Sequence, residues 1–351
     1  MSDHEPSAEV ASPRIGARRW VALAVVLSGI FVTVMDNSIV NIAIPSIRST
    51  LHASFGEAEL TVASYALAFS AGMITGGRLG DIYGQRRVFM VAFAAFTLTS
   101  FICGVAPNIE VLIIGRLLQG ASAAMLSPQV FALVRMSFTE GGERTAAFGA
   151  MGLAIGLANV AGLILGGVLI QAVLFGLAWR TVFLVNLPIG IAAIFLTPLV
   201  LDDMRSGERK RLDLAGVALS TLAMLLLMLP LVEGPERGWA GWPIAMLAVS
   251  PVAFVGFYLL QRWKSRHGLS ALLETDLFGD RAFNIGALLI LFFWGSTTPF
   301  SFSYVLLMQT GYGHSPLATA GSLAIGVGRI MMAGVLVDLV GMLCAGPVLD
   351  G

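Results

Sequence analysis

The chain has 351 residues, of which 57% are hydrophobic and 12% charged, whereas soluble domains average about 45–50% apolar and about 25% charged residues. Its 21 basic and 21 acidic residues cancel, so the chain lacks the net positive field on which nucleic-acid binding depends. The two cysteines, Cys103 and Cys344, lie among apolar neighbours, which disfavours the disulfide framework of a small secreted domain.

Ten apolar runs of membrane-spanning length follow an N-terminal segment, residues 1–19, that we interpret as a flexible tail. The first run is longer than the roughly 7–15 residues of a signal-peptide core, so we expect it to remain in the protein. Lipid offers no partners to backbone N–H and C=O groups, so each run is predicted to be a helix. The predicted spans are residues 20–44, 59–79, 88–106, 110–135, 145–172, 180–201, 212–232, 242–262, 282–309 and 316–340.

The distribution of basic residues predicts that both termini face the cytoplasm. With that orientation, Arg48, Arg180 and Arg237 lie on the outer side, while Arg116 and Arg329 lie within spans. The remaining sixteen of the 21 basic residues then lie on the inner side, as the positive-inside rule requires.

The segment between the second and third spans, residues 76–88, carries the most distinctive pattern in the chain. Glycine, aspartate and arginine recur in it at fixed spacing, at Gly77, Asp81, Gly84, Arg86 and Arg87. The pattern predicts a tight turn, because glycine adopts backbone conformations that are closed to other residues. Asp81 can accept from free backbone N–H groups or pair with the two arginines, which can also bind lipid phosphates. An ordinary charged inner loop would not need this spacing.

This segment resembles the signature cytoplasmic loop of the major facilitator superfamily. Residues 35–45, 116–124 and 179–190 are similar to motifs of its fourteen-helix drug:proton antiporter branch. The resemblance implies an all-α integral membrane protein of the cell membrane, with about ten transmembrane helices in this chain. It also implies a secondary active transporter for amphipathic drugs or other toxic small molecules, with protons as the coupling ion. No cofactor and no nucleic-acid partner is expected, and the other partner is the lipid bilayer.

The fifth span departs from the family in one position. The antiporter motif there is Gly-Pro-x-x-Gly-Gly, and this chain keeps its glycines as Gly162, Gly166 and Gly167 but has Leu163 in place of the proline. The small residues predict close packing against a neighbouring helix. The missing proline removes the local break that the family motif would introduce.

A shorter version of the signature pattern recurs in the tenth span, at Gly334, Leu336, Asp338 and Gly341. Because transporters of this kind are built from repeats, this copy predicts that the ninth and tenth spans are the first two helices of a second bundle. The resemblance implies a six-helix bundle, an inserted helix pair and an incomplete second bundle. The predicted segments are a tail (1–19), the N-terminal bundle (20–201), a cytoplasmic loop (202–211), the inserted pair (212–262), a second cytoplasmic loop (263–281) and the incomplete bundle (282–351).

Four further helices would be needed to complete the second bundle, so we expect the chain to be truncated relative to the family. Two interpretations stay open: an active transporter, or a non-transporting membrane fragment or interaction subunit of the same lineage. An intramembrane enzyme is disfavoured because the four histidines show no metal-ligand spacing. No Walker lysine motif indicates an ATP-driven pump.

Asp36 and Arg116 are the ionisable residues from which we predict a functional site. Charged side chains within spans are costly and mark functional sites by default. With a rise of about 1.5 Å per residue, Asp36 lies about 12 Å from the outer end of the first span, and Arg116 lies about 9 Å from the outer end of the fourth span. Desolvation and a nearby guanidinium change the proton affinity of a carboxylate in opposite directions, so the pair can load and release a proton. The alternative is a structural ion pair between the two helices.

Intramembrane amides form a second group of candidates. Asn41 and Gln119 are predicted to line the substrate cavity, and Asn159 and Asn186 are similar amides within spans. Such side chains can also form hydrogen bonds between helices, so both roles stay open. Arg329 is a weaker candidate, since it can instead seek water or a carboxylate across the bundle interface.

Overall fold

A computed structural model describes residues 13–139, 141–172, 176–201, 213–235, 238–239, 241–267, 269, 272–273, 275–323 and 325–326. The helices are α1 (Pro13–Leu51), α2 (Phe55–Tyr83), α3 (Gln85–Gly104), α4 (Ile109–Ser137), α5 (Gly141–Ala172), α6 (Thr181–Leu184), α7 (Asn186–Val200), α8 (Leu214–Glu233), α9 (Trp242–Arg266) and α10 (Arg281–Leu306). Within the described residues the fold is all-α, as predicted.

Within the part of the chain that the structure describes, seven helical stretches are long and apolar enough to cross a membrane. They correspond to the first six predicted spans and to the eighth, with Ala178–Val200 counted as one stretch across α6 and α7. In the seventh and ninth predicted spans the structure has shorter apolar stretches, Ala215–Leu231 and Phe283–Phe292. The tenth predicted span, 316–340, and the repeated motif at 334–341 lie largely or wholly outside the described residues.

The first helix begins earlier than predicted, because α1 starts at Pro13 within the segment interpreted as a tail. Proline is well tolerated in the first turn of a helix. Arg18 donates to Leu199 O at 3.3 Å and Arg19 to Ser137 O at 2.7 Å. These two carbonyls lie in the last turns of α7 and α4, where carbonyls lack intrahelical partners, so the basic segment has binding partners that a flexible tail would lack.

The helices expose apolar side chains on the outside of the bundle and bury polar ones within it. Large side chains such as Leu98, Phe131, Leu153 and Phe195 are exposed, as expected of surfaces that face lipid. Inside, α2 packs on α4, α1 on α5, and α3 on both α4 and α7. The consequence is that α1, α2, α3, α4 and the α6–α7 region surround one interior, in which the candidate site lies.

The predicted inserted pair, α8 and α9, is joined by a polar cluster at Asp213. Asp213 caps α8 through the Gly216 N–H at 2.8 Å and forms an ion pair with Lys264 of α9. Gln261 of α9 donates to the same carboxylate at 3.1 Å, and its Oε1 accepts from the Leu272 N–H at 2.7 Å. The cluster therefore connects the start of α8, the end of α9 and the segment that follows.

Replacing Asp213 separates the contribution of the helix cap from that of the ion pair. Asp213→Asn keeps a good N-cap but loses the charge, whereas Asp213→Ala loses both, and an N-cap contributes about 1 kcal/mol. We expect both variants to lower the free energy of unfolding. The value for Asp213→Ala should be about 1 kcal/mol below that for Asp213→Asn. Thermal unfolding in detergent measures the difference. Equal losses in the two variants would show that the cap contributes nothing.

Candidate functional site

Asp36 of α1 lies at the centre of a buried polar cluster. Its side chain is fully buried, and its Oδ2 accepts from Arg116 Nη1 at 2.5 Å. Its Oδ1 accepts from Gln119 Nε2 at 3.0 Å and from Asn186 Nδ2 at 2.8 Å. A carboxylate that accepts several N–H groups is stabilised in its charged form, so the site holds a buried charge that α4 and α7 compensate.

Arg116 of α4 is held from several directions. Its Nε donates to Thr61 O of α2 at 3.1 Å, and its Nη1 donates to Gln119 Oε1 at 2.8 Å as well as to Asp36. The guanidinium lies 4.2 Å from the ring centroid of Tyr65 and 5.8 Å from that of Phe183. Such contacts are strongest where water is excluded. Its Nη2 is buried without a hydrogen-bond partner, so both N–H groups of that nitrogen are unused.

Asn186 connects the cluster to the break between α6 and α7. Its Nδ2 also donates to Ser100 Oγ of α3 at 3.0 Å, and Ser100 Oγ donates to Phe183 O of α6 at 2.9 Å. Val185 separates the two helices, and Asn186 is the first residue of α7. The site thus joins α1, α2, α3, α4 and an irregular point in the sixth predicted span.

Three of the four residues predicted for coupling or substrate contact lie together: Asp36, Arg116 and Gln119. Asn41 does not join them, because its Nδ2 donates to Asn37 O at 3.0 Å within α1. The sequence analysis did not assign Thr61, Tyr65 or Ser100 to the site, and it placed Asn186 only among the intramembrane amides. The position of Asn186 within the motif at residues 179–190 was the available signal, whereas Thr61, Tyr65 and Ser100 carried none.

The signature segment is helical over most of its length, and its tight turn is confined to one residue. The helix α2 continues to Tyr83, and the turn is a single residue, Gly84, whose φ of 96° favours glycine. Asp81 lies 3.8 Å from Arg78 and accepts from Gln85 Nε2 at 3.1 Å.

The two arginines that follow the turn lie on α3. Arg86 donates to Pro198 O of α7 at 3.5 Å, while Arg87 is exposed. A cavity of about 330 Å³ lies beside this segment, between Gly77, Asp81, Pro128 of α4 and Leu272. The first half of the motif therefore lines a cavity, and Arg86 ties its second half to α7.

The glycines of the fifth span lie where other backbone approaches closely. A Cβ at Gly162 would lie 2.7 Å from Met35 O of α1, and one at Gly166 would lie 3.1 Å from Ile39 Cγ1. A Cβ at Gly167 would lie 2.8 Å from the Cα of Leu317. The helix α5 runs unbroken from Gly141 to Ala172, in agreement with the missing proline. Close packing of α5 against α1 thus brings it beside the turn that carries Asp36.

Among the residues that the structure describes, no group of three or more histidine, cysteine, aspartate or glutamate side chains is arranged to hold a metal ion. At the buried cluster the structure brings together a charge pair and its amide and hydroxyl partners.

Comparison with known proteins identifies a family. The profile of the Major Facilitator Superfamily matches residues 26–349. A probable actinorhodin transporter of Streptomyces coelicolor is 38% identical over 94% of this chain and 58% of its own length. The cephamycin export protein CmcT of Amycolatopsis lactamdurans is 37% identical over 84% of this chain and 60% of its own. The tetracenomycin C resistance and export protein of Streptomyces glaucescens is 31% identical over 89% of this chain and 57% of its own. The chain thus spans somewhat more than half the length of these relatives.

Proposed function

Because the chain belongs to the major facilitator superfamily, a family of membrane transporters rather than enzymes, we propose that it exports amphipathic small molecules in exchange for protons. The observation that carries the proposal is the fully buried contact between Asp36 and Arg116. A buried ion pair gives little net stability, so its presence at the meeting point of five helical segments favours a functional role. In this proposal Asp36 binds the proton. Arg116 supplies the counter-charge for the carboxylate whenever the proton is absent.

The proposed coupling follows from the charges. In the ionised state the carboxylate is held by Arg116, Gln119 and Asn186. A proton added to Asp36 removes the negative charge, so the guanidinium loses its counter-charge and the two amide N–H groups at Oδ1 face an O–H group. The cluster then favours a different arrangement of the surrounding helices, which is the condition for alternating access. Release of the proton on the other side restores the original arrangement.

The substrate class rests on the relatives. The three proteins compared above are named for transport, export or resistance involving actinorhodin, cephamycin and tetracenomycin C. These names support small molecules of antibiotic type as the substrates of this chain. We propose Gln119, within the cluster, and Asn41, five residues after Asp36 on another side of α1, as substrate contacts.

The proposed orientation places the protein in the cell membrane with both termini in the cytoplasm, and the basic residues support it. Gly77, Asp81, Gly84, Arg86 and Arg87 then form a cytoplasmic gate, which the cavity beside Asp81 supports. In the same proposal, residues 20–201 are the N-terminal bundle, 212–262 the inserted pair and 282–351 part of a second bundle, joined by cytoplasmic loops at 202–211 and 263–281.

Accumulation of a fluorescent amphipathic cation in an efflux-deficient bacterial host tests the proposal. Cells that express the 351-residue chain are expected to hold less dye than cells with an empty vector. The difference should vanish when a protonophore collapses the proton gradient. Equal dye levels with the chain present in the membrane would contradict the proposal and favour a non-transporting fragment or interaction subunit.

A further inference from the structure

The orientation of the Asn186 amide is fixed by its neighbour. Ser100 Oγ donates its single proton to Phe183 O at 2.9 Å, so toward Asn186 the hydroxyl can act only as an acceptor. The amide nitrogen of Asn186 must then face Ser100, and it donates to Asp36 Oδ1 from the same side. Asn186 Oδ1 is left buried with no hydrogen-bond partner. The amide is therefore set to stabilise the ionised carboxylate.

Protonation of Asp36 conflicts with this arrangement. Because Oδ2 is bound to the cationic Arg116, the proton is added at Oδ1. There the new O–H meets two N–H donors, from Gln119 and Asn186, and donors cannot accept it. One of the two amides must turn so that its oxygen faces the carboxyl.

Asn186 is the amide that can turn at lower cost. The oxygen of Gln119 already accepts from Arg116 Nη1 at 2.8 Å, so turning Gln119 would break a bond to a charged group. The oxygen of Asn186 has no partner to lose. Turning Asn186 replaces its N–H bond to Asp36 Oδ1 by a bond from the carboxyl O–H, and the one further bond it breaks is that to Ser100. The Ser100 hydroxyl is then free of its acceptor role.

We propose that Asn186 is a positioning residue that transmits the protonation state of Asp36 to the α6–α7 junction, with Ser100 setting the orientation of its amide. The inference rests on the proposed function, since it requires that Asp36 binds a proton. In the protonated state, the carboxyl O–H is donated to Asn186 Oδ1. Ser100 can then donate to the same oxygen and release Phe183 O, which lies in α6 two residues before Val185. Proton binding thus changes the hydrogen bonds at the α6–α7 junction.

Among the residues with a described position, the titratable groups that face Asp36 come from three other helices. Arg116 of α4 is in contact with it, and Tyr65 of α2 and Cys103 of α3 interact with it electrostatically. The sequences of α6 and α7 contain no ionisable residue. Changes at Asn186 and Ser100 therefore alter hydrogen bonds to Asp36 without altering any charge near it.

Infrared titration of the purified chain in lipid nanodiscs tests the inference without a known substrate. The carbonyl band of protonated Asp36 is assigned as the band that Asp36→Asn removes. Asn186→Leu, of similar volume, removes a charge-assisted bond from the ionised form and a weaker neutral bond from the protonated form. The titration midpoint of the Asp36 band in this variant should rise by about one pH unit, which means that Asp36 binds the proton about tenfold more tightly. Ser100→Ala, a smaller change, should raise the midpoint in the same direction because the amide can turn freely.

Asn159→Ala is the matched control, since Asn159 is a membrane amide that accepts from Ser38 and lies outside the cluster. Its midpoint should equal that of the wild type. Unchanged midpoints in Asn186→Leu and Ser100→Ala, or an equal rise in Asn159→Ala, would overturn the inference and leave the proposed function intact. A wild-type chain with no Asp36 band at any pH would overturn both.

Discussion

Asp36→Asn is expected to lower proton-driven dye efflux by about tenfold or more, because an amide cannot bind and release the proton that an intramembrane carboxylate can. The side chain keeps its size and can still accept a hydrogen bond. What it loses is the charge that Arg116 meets at 2.5 Å. Efflux from dye-loaded cells after a proton gradient is restored measures the loss.

The single variant has a second consequence, since it leaves the guanidinium of Arg116 buried without a counter-charge. Removing one partner of a buried ion pair costs about 3–5 kcal/mol, so the amount of folded protein should also fall. Loss of efflux in Asp36→Asn alone therefore does not separate a coupling role from a structural ion pair. The double variant Asp36→Asn with Arg116→Gln removes both charges, so no uncompensated charge stays buried, and that charge is the source of the large cost in the single variant.

The double variant is expected to regain wild-type abundance in the membrane but not proton-driven efflux. Glu110→Gln, the same carboxyl-to-amide change at an exposed residue in the first turn of α4, is the control and should keep both. If the double variant recovers efflux together with abundance, the pair is structural and the coupling proposal fails. Quantitative immunoblotting of membranes alongside the efflux assay distinguishes the outcomes.

The contact between Asp36 and Arg116 could be anticipated from sequence because membranes restrict the geometry. Spans must be helices, and the rise per residue then fixes the depth of each side chain. Two residues at similar depth in one bundle can therefore be paired although 80 positions separate them. Gln119 follows Arg116 by three positions, which places both on one face of α4.

Rotation about the helix axis explains what the sequence did not predict. Asn41 is five residues after Asp36, and at 3.6 residues per turn it points about 140° away around α1, so it binds within its own helix. Asn186 lies in a helical stretch that runs from Ala178 to Val200, and it faces the site because of the way that stretch is rotated about its own axis. The motif at residues 179–190 marked the segment but did not indicate this rotation.

Helix rotation also explains a difference in the signature segment. The sequence pattern singled out Gly77, whereas the structure shows that Gly76 is the glycine in close contact with a neighbouring helix. A Cβ at Gly76 would lie 2.3 Å from Ala124 O and 2.7 Å from the Cα of Met125. A Cβ at Gly77 would lie 3.6 Å from Pro128 Cβ, which is an ordinary contact. Two adjacent glycines on one helix therefore differ in whether they can accept a side chain. The rotation of α2 about its axis determines which of the two faces the backbone of α4.

Gly76→Ala is expected to destabilise the protein severely. The atoms that the new methyl group would meet belong to the backbone of α4, which cannot move without separating the two helices, and overpacking typically costs about 1–3 kcal/mol or more. The separation would also weaken the hydrogen bond from Gln129 Nε2 to Gly76 O, now 2.7 Å. Thermal unfolding followed by fluorescence-detected gel filtration should show a lower melting temperature or no folded peak.

Gly77→Ala is the matched control, expected to be at least as stable as the wild type because alanine favours a helix interior over glycine by about 1 kcal/mol. Equal melting temperatures for the two variants would mean that α2 and α4 do not approach this closely. That result would bear on the charge pair as well, since the same approach brings Thr61 O of α2 within 3.1 Å of Arg116 Nε. Gly76 and Arg116 lie on the same contact surface between α2 and α4. If α2 moved away from α4, the guanidinium would lose its hydrogen bond to Thr61 O.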